Sequence, residues 1–171
     1  MKRLTLMRHG NAKRPDPEVA DFERPLNRRG SAEVEAMARR LAELKLIPTL
    51  IVTSPAQRTR QTADILAREL RITARHMRTD ESLYLAGADD MLKVIHATGP
   101  RVPHLMMVGH NPGISRLAEL LGEKYRGEEL ATAAICSMTF EARLWSAVAA
   151  SLLRDCRQET PPARLFSSLR S

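Results

Sequence analysis

Leu4-Thr5-Leu6-Met7-Arg8-His9-Gly10-Asn11-Ala12 is the stretch on which the reading of the chain turns. A short apolar run ends abruptly in an arginine, a histidine and a glycine. A buried parallel strand delivers polar side chains in this way to the carboxyl edge of a sheet, where open α/β sheets bind ligands. Gly10 lacks a Cβ, so the backbone can turn tightly there and approach a ligand. Arg8 carries a planar donor fork suited to phosphate or carboxylate. His9 titrates near neutrality and can serve as nucleophile, base or ligand. Three residues alone also describe a strand end with two solvated polar side chains, so the remaining sequence has to decide.

Downstream of this strand (residues 3–8), Pro15, Pro17 and Pro25 interleave with Asp16, Glu18, Asp21 and Glu23. That pattern marks a long loop rather than an element, and loops of such length in compact domains tend to be functional or disordered. Within it, Pro25 restricts the backbone beside Arg24. Val34, Met37, Leu41 and Leu44 repeat at helical spacing, predicting a helix over 31–45 with Ser31 as its cap. Leu50-Ile51-Val52-Thr53 reads as a second strand. Ser54-Pro55 then has the form of a helix start, with Ser54 as cap and Pro55 as first helical residue, and the helix continues to Leu70. Arg58 falls in its first turn, at the helix end that favours anions. Arg60 points away from Arg58 around the helix and reads as solvated.

A short third strand is expected within 72–77, a loop over 80–84 and a helix over 89–97. Leu105-Met106-Met107-Val108 is a strand that runs into Gly109-His110-Asn111-Pro112-Gly113, a second strand-to-helix turn bearing a histidine. A helix over 114–121 and a strand over 135–140 follow. Residues 144–153 read as either a helix or an irregular strand, and Pro161-Pro162 opens an end expected to be mobile beyond residue 160. Alternating strands and helices without a linker, repeat or low-complexity segment predict one α/β domain over 1–171. Its architecture is a three-layer sandwich: a mostly parallel central sheet with helices on both faces.

Composition narrows the function. No apolar run approaches the roughly 18 residues that span a bilayer, and the apolar stretch after Met1-Lys2-Arg3 is too short for a secretory signal. A cytoplasmic protein with no membrane partner is expected. Cys136 and Cys156 fit that compartment and lack metal-ligand spacing. The net charge of +7 raises nucleic acid as a partner, yet aromatic residues make up only 4%, so stacking platforms are scarce. Nucleic-acid binding is not expected. The excess arginine fits a solvated surface or a site for phosphorylated substrates.

Three strand ends or following turns thus supply Arg8 and His9, Arg58, and His110, with Arg24 in the loop beside the first. Parallel strands gather such residues on one edge. Three arginines and two histidines brought together require an anion, and a tetrahedral phosphoryl group suits them. Arg8-His9-Gly10, Arg24-Pro25-Leu26, the stretch from Ser54 to Ala63 with Arg58, and Val108-Gly109-His110-Asn111-Pro112-Gly113 together resemble the histidine phosphatase superfamily of phosphoglycerate mutase-like proteins. Order, spacing and chain length are similar to its SixA-type phosphohistidine phosphatases. The similarity covers roughly the first 120 residues.

The resemblance implies that His9 is the nucleophile that becomes phosphorylated. It also implies that Arg8, Asn11, Arg24, Arg58 and His110 hold the phosphoryl group, and that neither metal nor cofactor is needed. Its general acid would be a carboxylate after the third strand, for which Glu81 is the nearest candidate and Asp80 and Asp89 stand behind it. The implied substrate is a phosphohistidine protein or a small phosphorylated molecule. A noncatalytic phosphate-binding scaffold is the alternative, and a mutase would need a second phosphate site in a longer chain. His76, His96 and His104 read as structural or solvated.

Overall fold

A computed structural model describes residues 1–122 and 127–163. The end expected to be mobile falls, from residue 164 onward, outside the described residues. Among the described residues six strands form one sheet: β1 (Lys2–Arg8), β2 (Leu50–Thr53), β3 (Met77–Thr79), β4 (His104–Gly109), β5 (Ile135–Phe140) and β6 (Leu153–Glu159), in the order β3-β2-β4-β1-β5-β6. Pairing is parallel from β3 to β1; β5 runs antiparallel to both β1 and β6. The fold is α/β with a mostly parallel sheet.

The strands read as near-continuous apolar runs because both faces are covered. Leu4 and Leu6 of β1 join Leu105 and Met107 in a core beneath α3 (Ala88–His96) and α4 (Gly113–Gly122), which also holds Phe140 and Trp145. Met7 points the other way, with Ile51, Met106 and Val108, into a second core beneath α1 (Arg28–Glu43) and α2 (Gln57–Leu70). The period of two along β1 thus divides its side chains between the layers. No helix among the described residues is long and apolar enough to cross a membrane.

Several local expectations are corrected. Asn27, not Ser31, caps α1: its Oδ1 accepts from Gly30 N at 2.8 Å, satisfying a free amide of the first turn. Ser54 does not cap α2, which starts at Gln57 after Ala56; its hydroxyl is held by His110. The third strand lies later than expected, because residues 74–76 form a 3₁₀ turn first. Residues 144–153 make two short 3₁₀ turns before β6, an edge strand whose charged, half-exposed side chains hide its pattern.

Candidate active site

Register places the two histidines together. Arg8 of β1 pairs with Gly109 of β4, and His9 N donates to Gly109 O at 3.2 Å, so His9 and His110 leave the sheet side by side. Arg58 arrives from the first turn of α2, after the strand that neighbours β4 on its other side. Arg24 comes from the long loop. Arg8, His9, Asn11, Arg24, Arg58 and His110 all line one cleft of about 440 Å³, together with Asp21, Asn111 and Thr132.

His9 is 8% exposed. Its Nδ1 lies 2.7 Å from Gly10 O, which fixes the proton on Nδ1 and leaves the Nε2 lone pair for chemistry. Burial lowers its pKa to about 4, reinforced by Arg58, Arg8 and Arg24, while the Gly10 carbonyl acts in the opposite sense. The imidazole is therefore neutral at pH 7. The turn bearing it requires glycine on both sides of a close approach. A Cβ on Gly10 would lie 2.7 Å from Gly30 O, and one on Gly30 would lie 2.0 Å from Asn11 O. The start of α1 thus presses directly on the histidine loop.

His110 is 2% exposed, and its ring meets His9 edge-on with centroids 5.4 Å apart. Ser54 Oγ lies 2.7 Å from His110 Nε2 and accepts from Ala56 N at 3.4 Å. A serine hydroxyl can accept from that amide and donate its own proton to Nε2 at once. In that arrangement the ring proton of His110 sits on Nδ1, a buried atom without a partner among the described residues. Burial, Arg58 and His9 lower the His110 pKa to about 3, so it too is neutral and offers one N–H.

Arg8, Arg24 and Arg58 each carry a buried Nε without a partner among the described residues. Their outer nitrogens are tied back: Arg8 Nη1 donates to Leu130 O at 3.0 Å, Arg24 Nη1 to Lys13 O at 3.0 Å and Arg58 Nη1 to Asp21 O at 2.7 Å. Asp21 also pairs through its carboxylate with Arg58 Nη2 at 3.0 Å and Arg24 Nη2 at 3.1 Å, and accepts from Tyr84 Oη at 2.7 Å. The Tyr84 hydrogen bond, followed by Arg58, holds its carboxyl below the usual carboxylate range. Asp21 is thus an anion at neutral pH, not a proton donor.

Behind the cleft, Glu33 of α1 is 1% exposed and accepts from Asn11 N at 3.1 Å, Thr132 Oγ1 at 2.9 Å and Arg29 Nε at 3.0 Å. A buried carboxylate is tolerable only when so satisfied. It ties the histidine loop to the segment after α4. Asn11 reaches the cleft, but its Oδ1 is taken by Asn27 Nδ2.

Glu81 is the residue the sequence misplaced. It begins an exposed 3₁₀ turn (Glu81–Leu83), does not line the cleft, and leaves Tyr84 as the member of that segment facing Asp21. Asp80 is spent on its own turn, accepting from Ser82 N and Oγ, and Asp89 lies in the first turn of α3. Asp21, Tyr84, Ser54, Thr132 and Glu33 were missed. Ser54 beside the Arg58 stretch, and Asp21 three residues before Arg24, are the signals that were available. The other histidines have structural partners: His104 bonds Thr5 and Ile47, His96 the Val148 carbonyl and His76 Thr73.

The low histidine pKa values have a measurable consequence. Nucleophilic His9 is lost by protonation, so depressing its pKa extends the active form downward in pH. With an acid-stable aryl phosphate, and after allowing for the substrate's own ionisation, kcat/KM should stay level from pH 7 to about 5. It should fall only as pH approaches the His9 value of about 4. A histidine acid limb near 6.5, its ordinary value, would contradict this environment.

Comparison with known proteins agrees with the geometry. The model of the histidine phosphatase superfamily (branch 1) matches residues 4–84. The crystal structure of a putative phosphohistidine phosphatase SixA from Agrobacterium tumefaciens superposes with a TM-score of 0.74 at 30% identity, covering 84% of this chain and 94% of that one. An uncharacterized protein of Picosynechococcus is 32% identical over 74% of this chain and 77% of its own length. An uncharacterized chloroplastic protein of Arabidopsis thaliana is 29% identical over 70% of this chain, which spans only 59% of that relative. The chain belongs to the histidine phosphatase superfamily.

Proposed function

We propose that the protein is a metal-independent phosphatase that works through a phosphohistidine on His9 and acts on a phosphohistidine protein. The observation carrying this reading is the set of four buried, unpartnered nitrogens (Arg8, Arg24 and Arg58 Nε, and His110 Nδ1) on residues that line one cleft with a neutral His9. Buried donors without partners are costly, and a phosphoryl group with several anionic oxygens is suited to satisfying them. His9 Nε2 attacks phosphorus, the P–N or P–O bond to the leaving group breaks, and the bond's electron pair departs with that group. Arg8, Arg24, Arg58 and His110 stabilise charge on the equatorial oxygens. Water then attacks the phosphohistidine, restoring neutral His9 and releasing phosphate.

The carboxylates support this substrate class: among the described residues lining the cleft, the one carboxyl is that of Asp21. Asp21 is held ionised, and Glu81 lies outside. An alkoxide leaves poorly without a proton from the protein, whereas a phosphohistidine takes a proton from solvent on its other ring nitrogen and expels neutral imidazole. Phosphohistidine is therefore favoured over alkyl phosphates. A buried neutral nucleophile also favours catalysis over a scaffold role. Two cysteines in 171 residues, without metal-ligand spacing, fit a reducing, cytoplasmic setting.

Phosphate release from a phosphohistidine peptide, an aryl phosphate and an alkyl phosphate tests the reading. The first two should turn over and the third barely. Glu81→Gln should leave phosphohistidine hydrolysis within about twofold, against the roughly 100- to 10,000-fold that a positioned general acid contributes. A loss of that size would restore Glu81 as the acid. Efficient alkyl phosphate turnover would shift the substrate to small esters.

A further inference from the structure

A second groove, of about 530 Å³, opens beside the catalytic cleft between the long loop and α2. Arg24 lines both, and Phe22 of the groove meets Tyr84, which in turn meets His110, in a continuous row of edge contacts. The groove's charged lining is Lys13, Arg14, Arg24 and Arg60 against Asp16 and Glu23. Among the described residues no ion pair engages the side chains of Lys13, Arg14 or Arg60, whereas Arg40 and Arg68 elsewhere on α1 and α2 are each paired with carboxylates. Three cations without an ion pair among the described residues thus line a groove that shares Arg24 with the phosphoryl site.

We infer that this groove docks an acidic stretch of the phosphorylated polypeptide whose phosphoryl group enters the adjoining cleft, an assignment that rests on the phosphohistidine-protein reading above. The chemistry selects among anionic occupants. Lys13, Arg14 and Arg60 are exposed, and a single exposed charge pair contributes little. A compact dianion would touch too few of them, while an extended acidic segment sums several contacts. A nucleic-acid strand would also sum them, but its charge recurs at every phosphate, and Asp16 and Glu23 stand in that path. A peptide can place neutral or basic residues opposite those two. Phe22 and Pro25 give such a segment an apolar wall.

The test uses the whole protein and the Lys13→Glu/Arg14→Glu/Arg60→Glu variant. Fluorescence anisotropy measures binding of a labelled, unphosphorylated peptide rich in Asp and Glu, a Gln/Asn peptide of equal length, and a thymidine oligonucleotide. The acidic peptide should bind wild type about tenfold or more tighter than the neutral one, and the variant should lose that preference. Kinetically, the variant should raise KM about tenfold for a phosphohistidine peptide with acidic flanks, leaving its kcat and the aryl phosphate kcat/KM unchanged. Equal binding of the two peptides overturns the inference, as does tighter binding of the oligonucleotide. So does an equal loss on peptide and aryl phosphate. Acidic-peptide preference without turnover of any phosphorylated substrate would instead overturn the phosphatase reading and leave the groove's preference standing.

Discussion

His9→Ala abolishes turnover of phosphohistidine peptides and aryl phosphates alike, by roughly 10⁴-fold or more, the scale on which covalent nucleophiles are missed. The expectation follows from placement. His9 ends the central strand β1, its Nδ1 is committed to Gly10 O, and Nε2 is the one ring nitrogen left to attack. His110, the other histidine lining the cleft, is not free to substitute, because Ser54 Oγ engages its Nε2 at 2.7 Å. Phosphate binding should survive, since Arg8, Arg24, Arg58 and His110 remain. Turnover within tenfold of wild type would dismiss a covalent role for His9.

The second large effect is at Arg58. Arg58→Ala should lower kcat by about 100- to 1,000-fold, the cost of removing one preorganised donor from a developing charge. Stability should change far less. Arg58 is 3% exposed, yet its partner carboxylate on Asp21 is 47% exposed, and its positive charge opposes Arg24 and protonated forms of both histidines. The loss of such a half-solvated pair is worth about 1 kcal/mol or less, and the bond from Nη1 to Asp21 O adds roughly 1 kcal/mol. For a chain of this size that is a melting shift of about 4–8 °C. Arg58→Lys should recover little, because an ammonium cannot bridge Asp21 and the phosphoryl group with a planar fork. Parallel losses of activity and melting temperature, both reversed by lysine, would make Arg58 a structural cation instead.

The parts of the site attached to regular elements were legible in the sequence. Arg8, His9 and His110 follow short apolar runs that read as buried strands, and Arg58 sits in the first turn of a helix that follows such a strand. The parallel pairing of β1 with β4 then brings them together whatever lies between. What was not legible depends on how irregular segments fold back. Asp21 sits in a proline-broken loop whose path is fixed by Arg58, Arg24 and Tyr84, three partners from different parts of the chain. Ser54 looked like a helix cap because Ser-Pro so often is one, and here the competing partner His110 won. Glu81 and Tyr84 belong to the same short segment, and the 3₁₀ turn buries Leu83 while leaving Glu81 outward and Tyr84 toward Asp21. A carboxylate was expected where the fold delivers a phenol. β6 escaped notice because an edge strand exposes one side, and its charges mask the alternation.

Identification of the phosphorylated residue tests the central claim most directly. The enzyme is mixed with a labelled aryl phosphate, quenched within one turnover at alkaline pH, where phosphohistidine survives, and digested for peptide mapping. The label should appear on the His9 peptide, attached through Nε2, and vanish on acid treatment. Label on His110, on a serine, or on no residue despite rapid turnover would contradict a mechanism through His9.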